Sequence, residues 1–190
     1  MNEDYIVDQE IKDTVFEEKD IKYKDFENCT FHHCDFTSCV FLAVTFIDCN
    51  FFDCNFNDTK INYVSLRGAF FNKCNFTNVN FAMTDQVIYD FGFKDCLLDY
   101  AKFYKLKLKK MQFINCSMIS VDFMSSDLTE AVFDNCNLRR AVFIDTIANK
   151  ADFTTSYDYT IDPEKNKIKK AQFSLEGLKG LLEKYDIVIK

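Results

Sequence analysis

Large apolar residues recur at every fifth position over most of this chain. The column starts at Ile6 and runs Ile11, Phe16, Ile21, Phe26, Phe31, Phe36, Phe41, Phe46, Phe51, Phe56, Ile61, Leu66, Phe71, Phe76 and Phe81 without an exception. After a slip of two residues it resumes at Ile88 and continues through Phe93, Leu98, Phe103, Leu108, Phe113, Met118, Phe123, Leu128, Phe133, Leu138 and Phe143 to Ala148 and Phe153. Of the 22 Phe, only Phe52, Phe70 and Phe91 lie off this column once Phe173 is counted on it. A helix repeats about every 3.6 residues and a strand about every 2, so neither element explains the pattern. The repeat demands an architecture of its own, and internal repeats of this kind signal a solenoid.

A second column sits two residues before the first. It holds Cys29, Cys34, Cys39, Val44, Cys49, Cys54, Ala69 and Cys74, and later Cys96, Ala101, Cys116, Ala131 and Cys136. Positions i and i−2 share a side in extended chain, so both columns point inward together. The other three positions of each five are mostly Asp, Asn, Thr, Ser, Lys and Glu, which suits a solvated exterior. An apolar content of 48% is too high for a disordered chain. No apolar run is long enough for a membrane span. The acidic opening MNEDYIVDQE has no apolar core, so a cytoplasmic protein without a secretory leader is expected.

Segments such as CDFTS, CNFND, CNFTN, VDFMS and CNLRR carry a family resemblance. Over residues 6–157 the chain resembles the pentapeptide-repeat proteins, whose consensus is roughly A-(D/N)-(L/F)-x-x. The resemblance implies an all-β fold, a right-handed quadrilateral β-helix in which four pentapeptides make one square coil. Residues 1–157 are expected to form that helix, with the register slip at 82–87. Residues 158–190 are expected to form a turn, a short C-terminal α-helix and a β tail. Asp162-Pro163 marks the turn, Ser174 can cap the helix, and Ile187-Val188-Ile189 reads as the tail strand. Leu175, Leu178, Leu181, Leu182 and Tyr185 fall on one helical stripe, which needs a surface to cover: the open end of its own coil or a second subunit.

All nine Cys occupy the inner column, five or twenty residues apart rather than at the spacing of a zinc knuckle. They read as small buried hydrophobes in a reducing compartment, with no metal or disulfide expected. His32 and His33 lie on exterior positions with no third group to orient either ring. No phosphate-binding glycine loop, G-x-S-x-G or H-E-x-x-H is present. Neither an enzyme nor a cofactor is expected, and binding is the default activity of such a surface.

Charge is unevenly distributed. Residues 1–60 hold 14 acidic groups against 5 basic ones, whereas Lys102, Lys105, Lys107, Lys109 and Lys110 crowd one coil. The acidic half should repel free nucleic acid, so no direct nucleic-acid binding is expected. Phe52 and Phe70 are exterior apolar residues about one coil apart, an exposed contact candidate.

Within the family the chain is similar to the topoisomerase-protecting branch, which includes quinolone-resistance proteins and immunity proteins against gyrase poisons. The length, the opening FENCTFHHCDF and the ending IDPEKN with its Leu-rich helix carry that similarity. It implies a DNA-mimicking partner of a type II topoisomerase, a homodimer joined through Leu175, Leu178, Leu181, Leu182 and Tyr185. Asp20, Asp25, Glu27, Asp35, Asp48, Asp53 and Asp58 would then stand in for phosphates. The alternative is a general protein-interaction rod without mimicry.

Overall fold

A computed structural model describes residues 4–85 and 90–188, which leaves Ile88 and Ile189 outside the described residues. The chain divides into two compact units, Met1–Leu98 and Asp99–Lys190.

In the first unit, short strands pair in parallel with strands twenty residues further on. Tyr5–Val7 pairs with Asp25–Glu27, which pairs with Thr45–Ile47, which pairs with the start of Ser65–Asn72. One side further round, Glu10–Lys12, Thr30–His32 and Asn50–Phe52 stack in the same way, ending on the last residues of Ser65–Asn72. Bridges from Val15 through Asp35 and Asn55 to Asn75 make a third side. Val40–Leu42 and Lys60–Asn62 make a fourth. Four pentapeptides therefore close one coil, the expected right-handed quadrilateral β-helix. Its faces are named below by their core residues Phe46, Phe51, Phe56 and Phe41.

The corners explain why the period is five. At most core positions the residue two further on is left-handed: φ is 51° at Asp48, 53° at Asp53 and 57° at Asp58. Three extended residues lay one core side chain inward, and the left-handed residue turns the chain onto the next face. An L-residue held there costs roughly 1–2 kcal/mol, least for Asn and Asp. Gly68, at φ 63°, is the one glycine on such a corner, and a Cβ there would overlap the Asp48 carboxylate. Most corner amides are also tied to the coil above, as where Asp48 N donates to Arg67 O at 2.7 Å.

Inside, the rings stack flat along each face and meet edge-on between faces. Phe51 lies 4.6 Å from Phe31 and 4.8 Å from Phe71, nearly parallel to both, and meets Phe46 at 5.1 Å and 81°. Both are favoured aromatic geometries. The nine cysteines are buried and free. Their thiols donate to carbonyls of their own coil and the coil below, as Cys49 does to Ile47 O at 3.3 Å and Phe26 O at 3.5 Å. Burial pushes the Cys49 thiol up to about 12 and the Cys74 thiol well above its ordinary value.

The register slip falls between Phe81, on the Phe41 face, and Phe93, on the Phe51 face. Phe81–Met83 forms a turn of 3-10 helix, and Asp90–Lys94 then pairs with Ser65–Asn72 with a register shift between Asp90 and Phe91. Phe91 lands beside Ala69 in the small-residue column, where it is buried and stacks on Phe81 at 5.8 Å. A second feature without a sequence expectation is the short helix Glu18–Ile21, closed by a capping box between Glu17 and Asp20.

The second unit repeats the same coil. Lys102, Asp122 and Val142 are bridged in one column, and Lys107, Asp127, Ile147 and Lys167 in the next. Gln112–Ile114 pairs with Val132–Asp134, whose Val132 bridges Asp152 and then Gln172. Pairing thus continues beyond residue 157. Ser174 Oγ accepts from Gly177 N at 3.0 Å, and a mixed helix follows: Glu176–Leu178 and Glu183–Tyr185 as 3-10 turns around an α turn at Lys179–Leu182. The expected tail strand is corrected for the residues described. Asp186 at φ 50° turns the chain away, and Ile187 and Val188 are exposed and unpaired with any described strand.

Candidate functional site

Among the described residues no group of three or more His, Cys, Asp or Glu could hold a metal ion, and no helix is long and apolar enough to cross a membrane. His32 Nε2 lies 3.4 Å from Glu10 Oε1, and its ring stacks on Phe52 at 5.1 Å. His33 Nδ1 lies 3.5 Å from Asp13 Oδ1. Each imidazole thus meets a carboxylate, and the neighbouring thiol of Cys34 is turned into the core. A cleft of about 670 Å³ opens between the last coil and the C-terminal helix, with Arg139, Arg140 and Lys179 facing Asp158, Glu183 and Asp186.

The seven acidic residues singled out in the sequence all lie on the first unit but do not converge on one face. Asp25, Glu27 and Asp48 share the Phe46 face, where Asp8 stacks below Asn28 in the Asp48 corner column. Asp53 occupies the corner between the Phe51 and Phe56 faces, next to Asp13 and His33 in its column. Asp35 and Asp58 belong to the Phe56 face, and Asp20 to the short helix.

Several also serve the fold. Asp35 accepts from Thr37 N at 2.9 Å and from its hydroxyl, a local turn repeated at Asp127 with Thr129 and at Asp152 with Thr154. Asp58 accepts from Asn78 Nδ2 at 3.0 Å, and Asp20 accepts from Glu17 N at 2.9 Å. Glu27 accepts from the Tyr5 hydroxyl, which pushes that phenol above its ordinary range. The Phe46 face is the densest anionic surface of the set.

Phe52 and Phe70 do share a face, but in different columns. Phe52 stands opposite His32 and Asn72, and Phe70 opposite Asn50 and Gly92. Both are half-buried, Phe52 over His32 and Phe70 under the bare backbone of Gly92.

The C-terminal helix is seated by glycine rather than by leucine. A Cβ on Gly180 would overlap the Tyr159 carbonyl, and one on Gly177 would overlap its hydroxyl. Gly180 O accepts from Ile161 N at 3.0 Å. Lys184 Nζ bridges Asp162 and Glu164, each at 2.7 Å, and Tyr185 donates to Glu164 at 2.9 Å. Burial works against the Lys184 charge, but these carboxylates outweigh it and hold the amine above its usual range. Of the stripe, Leu181 and Leu182 are half-buried, whereas Leu175 is 83% exposed and Leu178 and Tyr185 are exposed.

Sequence reasoning missed two features. The corner conformation was hidden because Asp, Lys, Ser and Tyr all occupy it. The lysine content of residues 165–170 was not connected to Lys107–Lys110, although a period of twenty applied twice more from residues 127–130 would have linked them.

A family model described as a pentapeptide repeat region matches residues 64–143, and one described as pentapeptide repeats, in eight copies, matches residues 25–58. No curated protein matches the chain. Among solved structures, it is similar to two trypsin-treated forms of QnrB1, described as a plasmid-mediated fluoroquinolone resistance protein. One is 17% identical with a TM-score of 0.62, covering 97% of this chain and 99% of that one. The other is 18% identical with a TM-score of 0.57, covering 98% and 97%.

Proposed function

Since this chain belongs to the pentapeptide-repeat family, we propose that it is a non-enzymatic binding protein that mimics DNA and protects a type II topoisomerase, DNA gyrase, against a quinolone or a gyrase-poisoning toxin. The observation that carries this reading is the segregation of charge. The first unit holds 17 acidic residues against 8 basic ones, while the second holds 13 against 15. On the Phe46 face the carboxylates of Asp8, Asp25, Glu27 and Asp48 project from rungs about 4.8 Å apart. A cluster of anions fixed on three successive rungs is what a basic DNA-binding groove selects, and it steers association over a Debye length. The likeness in fold to a fluoroquinolone-resistance protein supports the same choice of partner. The exposed Leu175, Leu178 and Tyr185 then serve as the homodimer contact.

The test is binding of the purified protein to DNA gyrase across a salt series, with and without competing duplex DNA. Mimicry requires binding that weakens steeply with salt, is displaced by duplex, and falls in a variant carrying Asp25→Asn, Glu27→Gln and Asp48→Asn. No binding at low salt sinks the reading. A second reading, an interaction protein without mimicry, is favoured by the apolar surface left open at Leu175 and Val188, each 83% exposed. Binding of that kind barely responds to salt.

A further inference from the structure

Coil stacking in the second unit brings together lysines that lie sixty residues apart. On the face around Leu128, the bridged column Lys107, Asp127, Ile147, Lys167 runs up one edge. Beside it stand two parallel columns. Lys110 N donates to Thr129 O, Glu130 N to Asn149 O and Lys150 N to Lys169 O, each at 2.9 Å, which places Lys109 and Lys169 in one column and Lys110, Lys150 and Lys170 in the other. All seven lysines are exposed. The carboxylates among these positions are Asp127 and Glu130, on the rung next to Lys107–Lys110. Lys109 reaches Asp127 at 3.3 Å, and Glu130 meets Lys150 at 2.6 Å and Lys110 at 3.9 Å. Lys167, Lys169 and Lys170 form no ion pair among the described residues.

We propose that this face docks on duplex nucleic acid, gripping phosphates of both strands without reading bases. Charge complementarity is the first argument: the face carries a fixed positive excess on a backbone held rigid by the ladder. Dimensions are the second. Three rungs separate the row at Lys107, Lys109 and Lys110 from the row at Lys167, Lys169 and Lys170, a span of about 14 Å. The major groove is about 12 Å wide, so each row reaches the phosphates on one rim. Asp127 and Glu130 then lie over the groove rather than against a phosphate.

The residue types are the third argument. Lysine suits phosphate as a point charge, whereas interfaces with proteins are depleted in Lys and anchored by Trp, Tyr or Arg, which this face lacks. The expectation of no nucleic-acid binding came from the acidic first unit, and this surface belongs wholly to the second. The inference does not rest on the topoisomerase reading and stands or falls without it.

The test is fluorescence anisotropy of a labelled 24-base-pair duplex of mixed sequence, titrated with the full chain from 25 to 200 mM salt. With about five phosphates engaged, log K falls against log salt with a slope of about −4.5. The triple variant Lys167→Gln, Lys169→Gln, Lys170→Gln, checked for an unchanged melting temperature, lowers the slope by about 2.7 and weakens binding at least about tenfold. Three outcomes overturn the proposal: no binding to duplex at 25 mM salt, equal binding by wild type and variant, or displacement of the duplex by polyglutamate as effectively as by unlabelled duplex. The last would assign the face to an acidic protein. In the same assay, Asp25→Asn with Glu27→Gln and Asp48→Asn leaves duplex binding intact, which separates this result from failure of the gyrase experiment.

Discussion

Phe51 and Phe52 are the same residue type, adjacent in one strand, and the coil assigns them opposite fates. Phe51 is fully buried between Phe31 and Phe71, with Phe46 and Phe56 edge-on at 5.1 and 5.5 Å. The interior there is already nearly full, with a void of only about 20 Å³ among the rings. Phe51→Ala removes a phenyl group of about 100 Å³, and at about 24 cal/mol per Å³ the unrelaxed cavity costs about 2.4 kcal/mol. Lost transfer of the ring from water adds about 2 kcal/mol. The ladder hydrogen bonds on both sides hold the coils apart and prevent collapse, so the sum of about 4 kcal/mol should survive. Phe52 is half-buried and touches one ring, that of His32; Phe52→Ala should cost about 0.5–1 kcal/mol. Urea denaturation of the two variants and wild type, at matched m-values, measures both. A Phe51→Ala cost below about 1.5 kcal/mol, or a Phe52→Ala cost that equals it, would refute the assignment of strand faces.

Three further outcomes are expected. The Cys49 thiol is raised to about 12 in the fold but ionises near 8.5 when unfolded, so its contribution is whole below pH 8.5 and is lost as pH climbs toward 12. Stability measured by urea from pH 8 to 11 should therefore fall, and Cys49→Ala should fall less steeply, by up to about 1.4 kcal/mol per pH unit; parallel slopes would contradict a buried neutral thiol. At Ser125, an exposed corner with φ 57°, Ser125→Val should cost more than about 1 kcal/mol while Ser125→Asn costs nothing. Thermal melts of the pair decide it, and equal melts would mean the corner is not left-handed. Gly180→Ala places a methyl into the Tyr159 carbonyl. It should expose residues 175–186 to hydrogen exchange and limited proteolysis despite the gain of about 1 kcal/mol in helix propensity.

The fold was legible because one rule repeats: Phe46 and Phe51 announce the core, and Cys49 and Cys54 announce the position beside it. Phe91 was not legible, since only the register shift after Asp90 turns it inward. The leucine stripe at Leu175 and Leu178 suggested burial by its period, but Gly177 and Gly180 approach the coil more closely and set the helix down on its narrow side. The acidic residues were individually visible, yet whether Asp25 and Asp48 share a face with Asp35 depends on the corner count, which composition does not supply. Lys107 and Lys167 needed the twenty-residue spacing carried through three coils.

The corner columns separate two kinds of selection that most folds entangle. A coil presents the same inner cross-section under many different exteriors, because the backbone ladder and the stacked rings carry most of what holds it. Exterior positions such as Lys102 or Lys169 are thus free to drift, and whole columns can change sign without disturbing what lies within. Opposite charge on the two units of one chain is then accessible by gradual surface change, with little demand on stability at any step. A repeat of this kind is a scaffold on which recognition evolves almost independently of folding.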